Sequence, residues 1–531
     1  MNIQLQSKYN LSRSRWRTGQ DQGKSCRVCC ADRCEDCRSL SISCDHQIVK
    51  SNDSHRPLPA RAGGSNSYFC EWHWRLLLLF LTAITPLSAA EPVKPSPEEG
   101  YRILREYPFL IPDFDEQVLD QLWTVWPEEI KSKAKSATPV ERRQMTFELY
   151  GIQPLPGDNK ETSKGIGYVQ RSGGDWSMNC LACHAGQING QVIPGLGNAD
   201  FDLQSLAEDV GQIKQKLGKP LTHLDGAVGN GAVLSTGPGM TAAVNFGVDL
   251  GALRDKEMNV NWSAKAPQRP DYGMDAPAFW NTKFKERLYC DNHAPNYHRV
   301  LMQFILHPWN NADYVKRNEG KFRHIQAWIN SVAVPKYPFA VDGQLATQGR
   351  VVFNKNCAEC HGTYKGDQLD FPERVIPLAD IGTDPVRLKE LKPEHHRQLA
   401  DSWMTRKDDE SGEHYEVVID PKGYLAPPLK GVWASAPYLH NGSVPTLWHL
   451  LHPEQRPQVW KKTSRQYDTK KLGHQVQEYQ SLPPDFDSLN KYEKRRFYNH
   501  DDFGKRIDGH DFPSVLTEEE RRAVLEYLKT L

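Results

Sequence analysis

Three features that often reveal a protein's partners or fold are scarce in this sequence of 531 residues. Lys+Arg and Asp+Glu number 66 each, so no charge excess favours nucleic acid or a solvating acidic arm. Only five of the 12 cysteines follow residue 90, too few for a disulfide scaffold. The main apolar run, residues 76–87, is shorter than the roughly 20 residues that span a bilayer. The sequence therefore predicts no nucleic-acid partner and no stable membrane span.

The apolar run has the features of a secretory signal. Arg75 precedes it, and the small residues 88–90 that follow it are typical of a cleavage site. We predict that cleavage follows Ala90 and that the mature protein is periplasmic or secreted. The segment CRVCCADRCEDC, residues 26–37, contains two CxxC pairs and raises the alternative of a zinc knuckle. We favour a removed leader over residues 1–90, with residues 1–70 an over-extended start.

The sequence contains the pattern Cys-x-x-Cys-His twice, in NCLACHA at 179–185 and NCAECHG at 356–362. Thiols three positions apart lie on one side of a helical turn, so both can bond the two vinyl groups of one haem. The histidine that follows is then an axial ligand of the iron. A zinc site would need a fourth ligand, which neither motif offers. We therefore predict two covalently attached c-type haems, held by Cys180, Cys183, His184, Cys357, Cys360 and His361.

The flanks of the motifs predict a helical fold. Apolar positions in residues 343–355 indicate a helix that runs into the second motif, and Thr517 to Glu520 forms a capping box before a C-terminal helix. After the first motif comes a turn-rich, strand-like stretch, then a predicted helix over residues 201–217 that ends before Gly218. We predict a mainly α protein with long irregular loops and few short strands. Its two cytochrome c-like haem domains would span residues 91–338 and 339–531.

A further segment, APYLHNGSVPTL within residues 431–451, resembles the PY-x-H-[DN]-G segment of the bacterial di-haem cytochrome c peroxidase superfamily. Together with CHGTY at 360–364 and Gly509-His510, it is closer to the branch that includes the di-haem rubber oxygenases. The resemblance covers roughly residues 95–531. It implies two haems close enough to exchange electrons, one of them the site of peroxide or dioxygen chemistry. It also implies that His440 lies beside the C-terminal haem as a hydrogen-bonding residue.

The ligand opposite the motif histidine decides the function of each haem. An iron with a free sixth coordination position can bind and transform a small molecule, whereas a six-coordinate iron mostly carries electrons. For the C-terminal haem the candidates are His510, His452, His440 and Met404. We favour His510, which matches the Gly-His of the family. For the N-terminal haem, no histidine or methionine follows His184 until His223, so the distal histidine of standard peroxidases is missing. Met240 is the main residue that could act as a sixth ligand and so close the N-terminal haem iron.

Residues 275–291 resemble the family segment that brings aromatic side chains over the N-terminal haem. Trp280 and Tyr289 are therefore candidate catalytic residues, with a purely structural role in the core as the alternative. Cys290 is predicted to be a buried free thiol.

We predict an exported di-haem cytochrome that transfers electrons and catalyses redox chemistry at its N-terminal haem. One alternative is an electron carrier with both haems six-coordinate, and another is a structural or sensory haem module. The predicted partners are small redox proteins or a small-molecule oxidant or substrate.

Overall fold

The computed structural model describes residues 94–158, 164–267, 270–366, 368–407 and 411–531. The predicted leader, signal and cleavage site lie outside these residues. The described residues from Pro95 to Leu531 belong to one compact unit, and the proposed domain boundary near residue 338 stays a prediction. No helix in the described ranges is both long and apolar enough to cross a bilayer.

Helices make up the larger elements of the described chain. In chain order, α1 to α18 span Pro97–Glu106, Glu116–Leu119, Glu128–Ser136, Pro139–Tyr150, Leu203–Lys216, His223–Gly229, Ala243–Ala252, His298–Leu301, Ala312–Arg317, Glu319–Ser331, Gly343–Asn356, Ala358–His361, Leu378–Ile381, Val386–Glu390, Pro393–Ala400, Leu447–Leu451, Lys491–Arg495 and Glu518–Leu528. Short 3-10 helices span Leu122–Val125, Cys180–Ala182, Phe279–Phe284, Met302–Ile305, Trp403–Thr405, Val432–Ala434, Pro453–Gln455, Phe486–Ser488 and Phe512–Val515.

The strands are mostly two to four residues long and pair antiparallel. In chain order, β1 to β17 span Phe114–Asp115, Tyr168–Gln170, Asp175–Met178, Ala185–Ile188, Gln191–Pro194, Ser235–Gly237, Met240–Thr241, Met274–Asp275, Arg287–Leu288, Ala294–Pro295, Thr363–Lys365, Gln368–Asp370, Val375–Pro377, Gly423–Leu425, Val459–Asp468, Gly473–Tyr479 and Phe497–Asn499. Three sheets have three strands, in the orders β1-β3-β2, β6-β7-β8 and β16-β15-β17, and the remaining pairs are β4-β5, β9-β10, β11-β12 and β13-β14.

The mainly helical fold that the sequence predicted is consistent with this architecture. The strand-like stretch after the first motif is the hairpin β4-β5, and the helix predicted for 201–217 is α5. The long strands β15 and β16 were not predicted. Their buried faces are interrupted by exposed and half-buried residues, so the alternating pattern of a strand is weak in the sequence.

In the C-terminal half, the described residues from 339 to 531, the two predicted helices α11 and α18 cross. The Thr517 capping box begins α18, and Asp342 caps α11 with its side chain. The two helices approach closely at Gly349, where a Cβ atom would lie 1.8 Å from the carbonyl oxygen of Ala523. Val351, one of the apolar residues of α11, is exposed, because the helix turns toward α18 through Gly349 and Phe353.

The N-terminal half contains a second helix crossing of the same kind. Here α1 packs on α10, and a Cβ atom at Gly100 would lie 2.0 Å from the carbonyl oxygen of His324. Unlike α11, α1 does not lead directly into its Cys-x-x-Cys-His motif, because residues 107–178 lie between them. Asn179 bridges the gap, since its side-chain amide donates to the carbonyl oxygen of Leu104 at 2.8 Å.

Two candidate haem sites

The C-terminal motif folds as a single turn directly after α11. The amide of His361 donates to the carbonyl of Cys357 at 3.0 Å, so the two thiols and the imidazole are carried by one turn of chain. The Nδ1 atom of His361 donates to the carbonyl oxygen of Pro427 at 2.9 Å. This bond orients the ring and leaves Nε2 free as a metal ligand, an arrangement typical of metal-binding histidines.

The N-terminal motif has the same geometry in a different setting. The amide of His184 donates to the carbonyl of Cys180 at 3.1 Å, and its Nδ1 donates to the carbonyl oxygen of Pro277 at 3.0 Å. Burial lowers the pKa of His184 to about 4, so the imidazole is neutral and able to bind a metal near pH 7. By its accessible surface the residue is half-buried.

The ring of His510, the candidate that the sequence favoured, lies next to the ring of His361. The two ring centres are 6.1 Å apart. A histidine nitrogen lies about 2.0–2.1 Å from a bound first-row metal, so two imidazoles on opposite sides of one ion have ring centres about 6 Å apart. The separation therefore fits one iron held between His361 and His510.

The loop that carries His510 is held firmly in place. Gly509 has φ of +79°, and a Cβ atom there would lie 2.3 Å from the backbone of Gly382, so the loop needs glycine at this position. The guanidinium of Arg456 donates to the carbonyl oxygen of Gly509 at 2.6 Å, and the amide of His510 donates to the carbonyl oxygen of Ile381 at 2.7 Å. These contacts position the His510 ring before any ligand binds.

The other candidates for the C-terminal iron are placed differently. Both ring nitrogens of His452 are engaged, Nδ1 with the carbonyl of Trp448 at 2.7 Å and Nε2 with Glu518 at 2.9 Å. Met404 is buried in the core. The ring of His440 stacks on Tyr424 with centres 4.1 Å apart. Of the four candidates, His510 is the one whose ring packs against His361.

Among the residues that the structure describes, no second imidazole packs against the ring of His184. The ring contact of His184 is instead to Phe279, at 4.1 Å between centres and an interplanar angle of 20°. Met240, the residue that could close this site, is buried with its sulfur against Gly442, where a Cβ atom would lie 2.6 Å from it.

Trp280 and Tyr289, the two candidate catalytic residues, lie between the halves. Trp280 is fully buried and donates from Nε1 to the carbonyl oxygen of Lys430 at 2.7 Å. Tyr289 adopts φ of +69°, accepts a hydrogen bond from Gln303 at 3.3 Å, and has its pKa raised to about 12 by burial. Their catalytic roles stay predictions. Cys290 is a free thiol, as predicted, although half-buried, and burial raises its pKa to about 12.

Sequence reasoning missed an internal correspondence between the halves. Pro277 and Pro427, which hold the two histidine rings, are 150 positions apart, and so are the turns at residues 289–292 and 439–442. In both turns the fourth amide donates to the first carbonyl, at 3.2 and 3.1 Å. The signal available in the sequence was the pair of Ala-Pro dipeptides at the same spacing as the turns.

Two reciprocal hydrogen bonds connect the turn of each half to a backbone segment of the other half. The amide of Asp275 donates to the carbonyl of His440 at 3.2 Å, and the amide of Leu425 donates to the carbonyl of Cys290 at 2.7 Å. Asp275 and Leu425 each lie two residues before the proline that holds a haem-motif histidine. Each motif histidine is therefore connected through a short backbone segment to the turn of the opposite half.

Sequence reasoning also missed a buried polar group between the halves. Asp291, His293 and His396 offer ligand atoms that all lie within 4.8 Å of one another. Arg387, fully buried, forms an ion pair with Asp291 at 3.0 Å. No local motif marks these residues, because they come together only across about a hundred positions of chain.

Comparison with known proteins supports the haem assignment at a coarse level. A family model described as "RoxA-like, cytochrome c-like" matches residues 423–461, which include β14 and the turn at 439–442. The match supports the resemblance to the di-haem cytochrome c peroxidase-like superfamily, and a cytochrome c-like segment implies haem as the cofactor. The residues present fit that group, since each motif combines two thiols with an oriented imidazole.

Two curated relatives are themselves uncharacterized. The chain is 33% identical over 253 residues to protein y4iM of Sinorhizobium fredii (strain NBRC 101917 / NGR234), a match that covers 41% of this chain and 55% of y4iM. It is 26% identical over 257 residues to protein y4iJ of the same strain, covering 37% of this chain and 41% of y4iJ. The chain thus matches about half the length of these relatives.

Solved structures give weaker likenesses. A MauG-like protein associated with microbial copper homeostasis aligns with 54% of this chain and 88% of its own, at 16% identity and a TM-score of 0.25. The hydrazine synthase of Kuenenia stuttgartiensis aligns with 56% and 90%, at 11% identity and a TM-score of 0.20. TM-scores this low support no conclusion about shared architecture.

Proposed function

We propose that the protein is an exported di-haem c-type cytochrome that transfers electrons and catalyses redox chemistry on a small molecule at its N-terminal haem. Cys180, Cys183 and His184 would hold that haem, and the second motif would hold the other. The C-terminal haem would be closed by His510 and would pass or store electrons. A haem iron with an open position supplies binding and reduction of peroxide or dioxygen.

One observation carries this proposal, the difference between the two histidine environments. His361 faces a second imidazole at 6.1 Å between ring centres, a separation that suits an iron with two histidine ligands. His184 has no such partner among the described residues, and the one ring that packs on it is Phe279, stacked on the face of the imidazole. The asymmetry supports one reactive iron and one electron-transferring iron.

The reciprocal hydrogen bonds between the halves support electron exchange. Pro277 accepts from His184, and Asp275, two residues earlier, donates to the turn of the C-terminal half. Pro427 and Leu425 repeat the arrangement in the other direction. Short, rigid backbone connections of this kind hold the two sites at a constant separation.

Electron paramagnetic resonance of the oxidised holoprotein tests the proposal. We expect one high-spin and one low-spin ferric signal of equal intensity, because only one iron has a second histidine. Two low-spin signals would favour the alternative of an electron carrier with both irons six-coordinate. Mass spectrometry of the exported protein should find two covalent haems and a mature chain that begins near Glu91.

The variant His510→Ala assigns the low-spin signal. We expect it to become high-spin while the other signal is unchanged. His452→Ala is the matched control, since both nitrogens of the His452 ring are already hydrogen-bonded. A low-spin signal that survives in His510→Ala, or that is lost in His452→Ala, would show that His510 is not the ligand.

A further inference from the structure

Arg387, in the short helix α14, is a buried cation that is only partly satisfied. Its side chain is about 1% exposed. Its Nη2 atom lies 3.1 Å from one oxygen of Asp291 and 3.0 Å from the other. The Nε and Nη1 atoms have no hydrogen-bond partner among the residues that the structure describes.

Unpaired buried N–H groups are rare in folded proteins, because a donor that has lost water and gained no acceptor destabilises the fold. The nearest side chains do not meet this need. The guanidinium lies beside the thiol of Cys290, a weak acceptor, and 5.7 Å from the ring centre of Tyr289. These N–H groups are therefore suited to an oxygen acceptor from outside the described chain, and a carboxylate matches a guanidinium best.

Arg387 lies near both of the backbone segments whose prolines accept hydrogen bonds from the two motif histidines. The carbonyl of Cys290, whose thiol lies beside the guanidinium, accepts from the amide of Leu425, which lies two residues before the proline bonded to His361. Arg387 also lies close enough to His440 that its charge, after burial, helps to lower the pKa of that ring to about 3. The carbonyl of His440 in turn accepts from Asp275, near the proline bonded to His184.

A metal ion is the competing occupant of this region. Asp291, His293 and His396 have ligand atoms within 4.8 Å of one another, and the Nε2 of His396 has no partner among the described residues. However, both oxygens of Asp291 lie within 3.1 Å of the guanidinium of Arg387. Arginine keeps its charge at any ordinary pH and would repel a cation bound to the same carboxylate.

We propose that the unpaired N–H groups of Arg387 bind a carboxylate, a propionate of one of the two haems. Haem is a dicarboxylate, and its propionates have to be neutralised or hydrogen-bonded wherever they enter the protein. Arg387 thereby neutralises two carboxylates, Asp291 and the propionate, and ties the packing of the two halves to the position of a haem. The inference rests on the proposed function, since it requires bound haem.

Resonance Raman spectroscopy of the holoprotein tests it, because the propionate bending band reports hydrogen bonds to the propionate. Two variants isolate Arg387: Asp291→Asn retains the guanidinium, and Asp291→Asn/Arg387→Met removes it without leaving a buried unpaired carboxylate. We expect the band of the native protein to persist in Asp291→Asn and to shift to lower frequency in the double variant. The midpoint potential of one haem should also fall, because a nearby positive charge favours the reduced iron.

An identical band and identical potentials in the two variants would overturn the proposal. So would an acetate-dependent spectral change in the native protein that is lost in the double variant, which would mean that the site takes a free carboxylate. Stoichiometric metal other than iron that is lost in His396→Ala would identify a metal site instead. If the double variant does not load haem, Arg387→Lys retains the charge and should still shift the band. A native protein without covalent haem would refute the proposed function, whereas haem-loaded variants with unchanged bands refute only this inference.

Discussion

In the N-terminal half the ring of His184 packs on Phe279, whereas in the C-terminal half the ring of His361 faces His510 across 6.1 Å. The supports behind the two rings are nonetheless alike. Each Nδ1 donates to a proline carbonyl, and the two prolines are 150 positions apart. The comparison teaches that the proline support is shared, while the ring that neighbours each histidine differs.

The hydrogen bonds that connect each motif histidine to the segment after its proline partner involve different groups in the two halves. In the N-terminal half the amide of Phe279 donates to the carbonyl of Gly195, and the amide of Gly195 donates to that of His184. In the C-terminal half the hydroxyl of Tyr364 makes both connections, accepting from the amide of Leu429 and donating to the carbonyl of His361. The carbonyl of the motif histidine is thus connected to the segment after the proline by a tyrosine side chain in the C-terminal half and by backbone in the N-terminal half.

The largest expected effect comes from removing one pair of thiols. Cys180→Ser/Cys183→Ser and Cys357→Ser/Cys360→Ser should each lower the mass of the exported protein by one haem and leave the other attached. The reason is that each motif would bind its proposed haem through its own turn of chain. Intact-mass spectrometry measures the result. Loss of both haems in either variant would break the comparison, because the halves would then depend on each other for haem attachment.

The two helix crossings should be equally intolerant of a methyl group. Gly100→Ala and Gly349→Ala each place a Cβ atom within about 2 Å of a carbonyl oxygen of the facing helix, so we expect each to destabilise the fold by about 1–3 kcal/mol. Denaturant unfolding measures the free energy. Gly320→Ala and Gly343→Ala are controls in the same crossings, since a Cβ atom at either position would have no neighbour within 4 Å, and they should be neutral or stabilising. A tolerated Gly100→Ala would mean that only the C-terminal half has a tight crossing.

The acids that begin the second helix of each crossing should differ in their effect on stability. Burial opposes ionisation of Glu319, but hydrogen bonds from His298 and Arg299, among others, outweigh it and hold the pKa at about 2. In the other half, a hydrogen bond from His452 lowers the pKa of the more exposed Glu518. Glu319→Gln should cost on the order of 2 kcal/mol at neutral pH, and Glu518→Gln a few tenths.

The pH dependence gives the sign of the Glu319 effect. A carboxyl whose folded pKa is lowered stabilises the protein above its unfolded pKa, near 4.5, and the contribution is lost as pH falls toward 2. Unfolding measured across this range should therefore bring native protein and Glu319→Gln together at low pH. A difference that stays constant with pH would mean that Glu319 acts through packing and not through its charge.

The last expected effect concerns the contact between the halves. Trp280→Phe removes the 2.7 Å hydrogen bond to Lys430 and leaves a cavity where the larger indole ring was fully buried, at a cost of about 1–3 kcal/mol. Denaturant unfolding measures this cost. Trp262→Phe is the matched control, because Trp262 is exposed and its replacement should be neutral. Equal effects of the two changes would show that the Trp280 hydrogen bond does not couple the halves.

The sequence predicted the local elements well and the long-range ones unevenly. Helix α18 and its capping box, α11 and the hairpin after the first motif were all predicted, because their signals lie within about twelve neighbouring residues. The choice of His510 depended on a family resemblance, and the structure brings that ring to His361. Nothing local predicted that α1, some seventy residues before its motif, is the counterpart of α11.

By itself, the sequence predicted how haem would be attached, because two thiols and an imidazole within five consecutive residues need only one turn of chain to reach one haem. Only the tertiary structure decided what faces each histidine. Residues 361 and 510 meet because α11 and α18 cross and Arg456 holds the loop before α18. Asp291 and Arg387 meet because the turn that contains Asp291 is hydrogen-bonded to the C-terminal half. Contacts between residues about a hundred positions apart depend on how the whole core packs, and no short pattern encodes that packing.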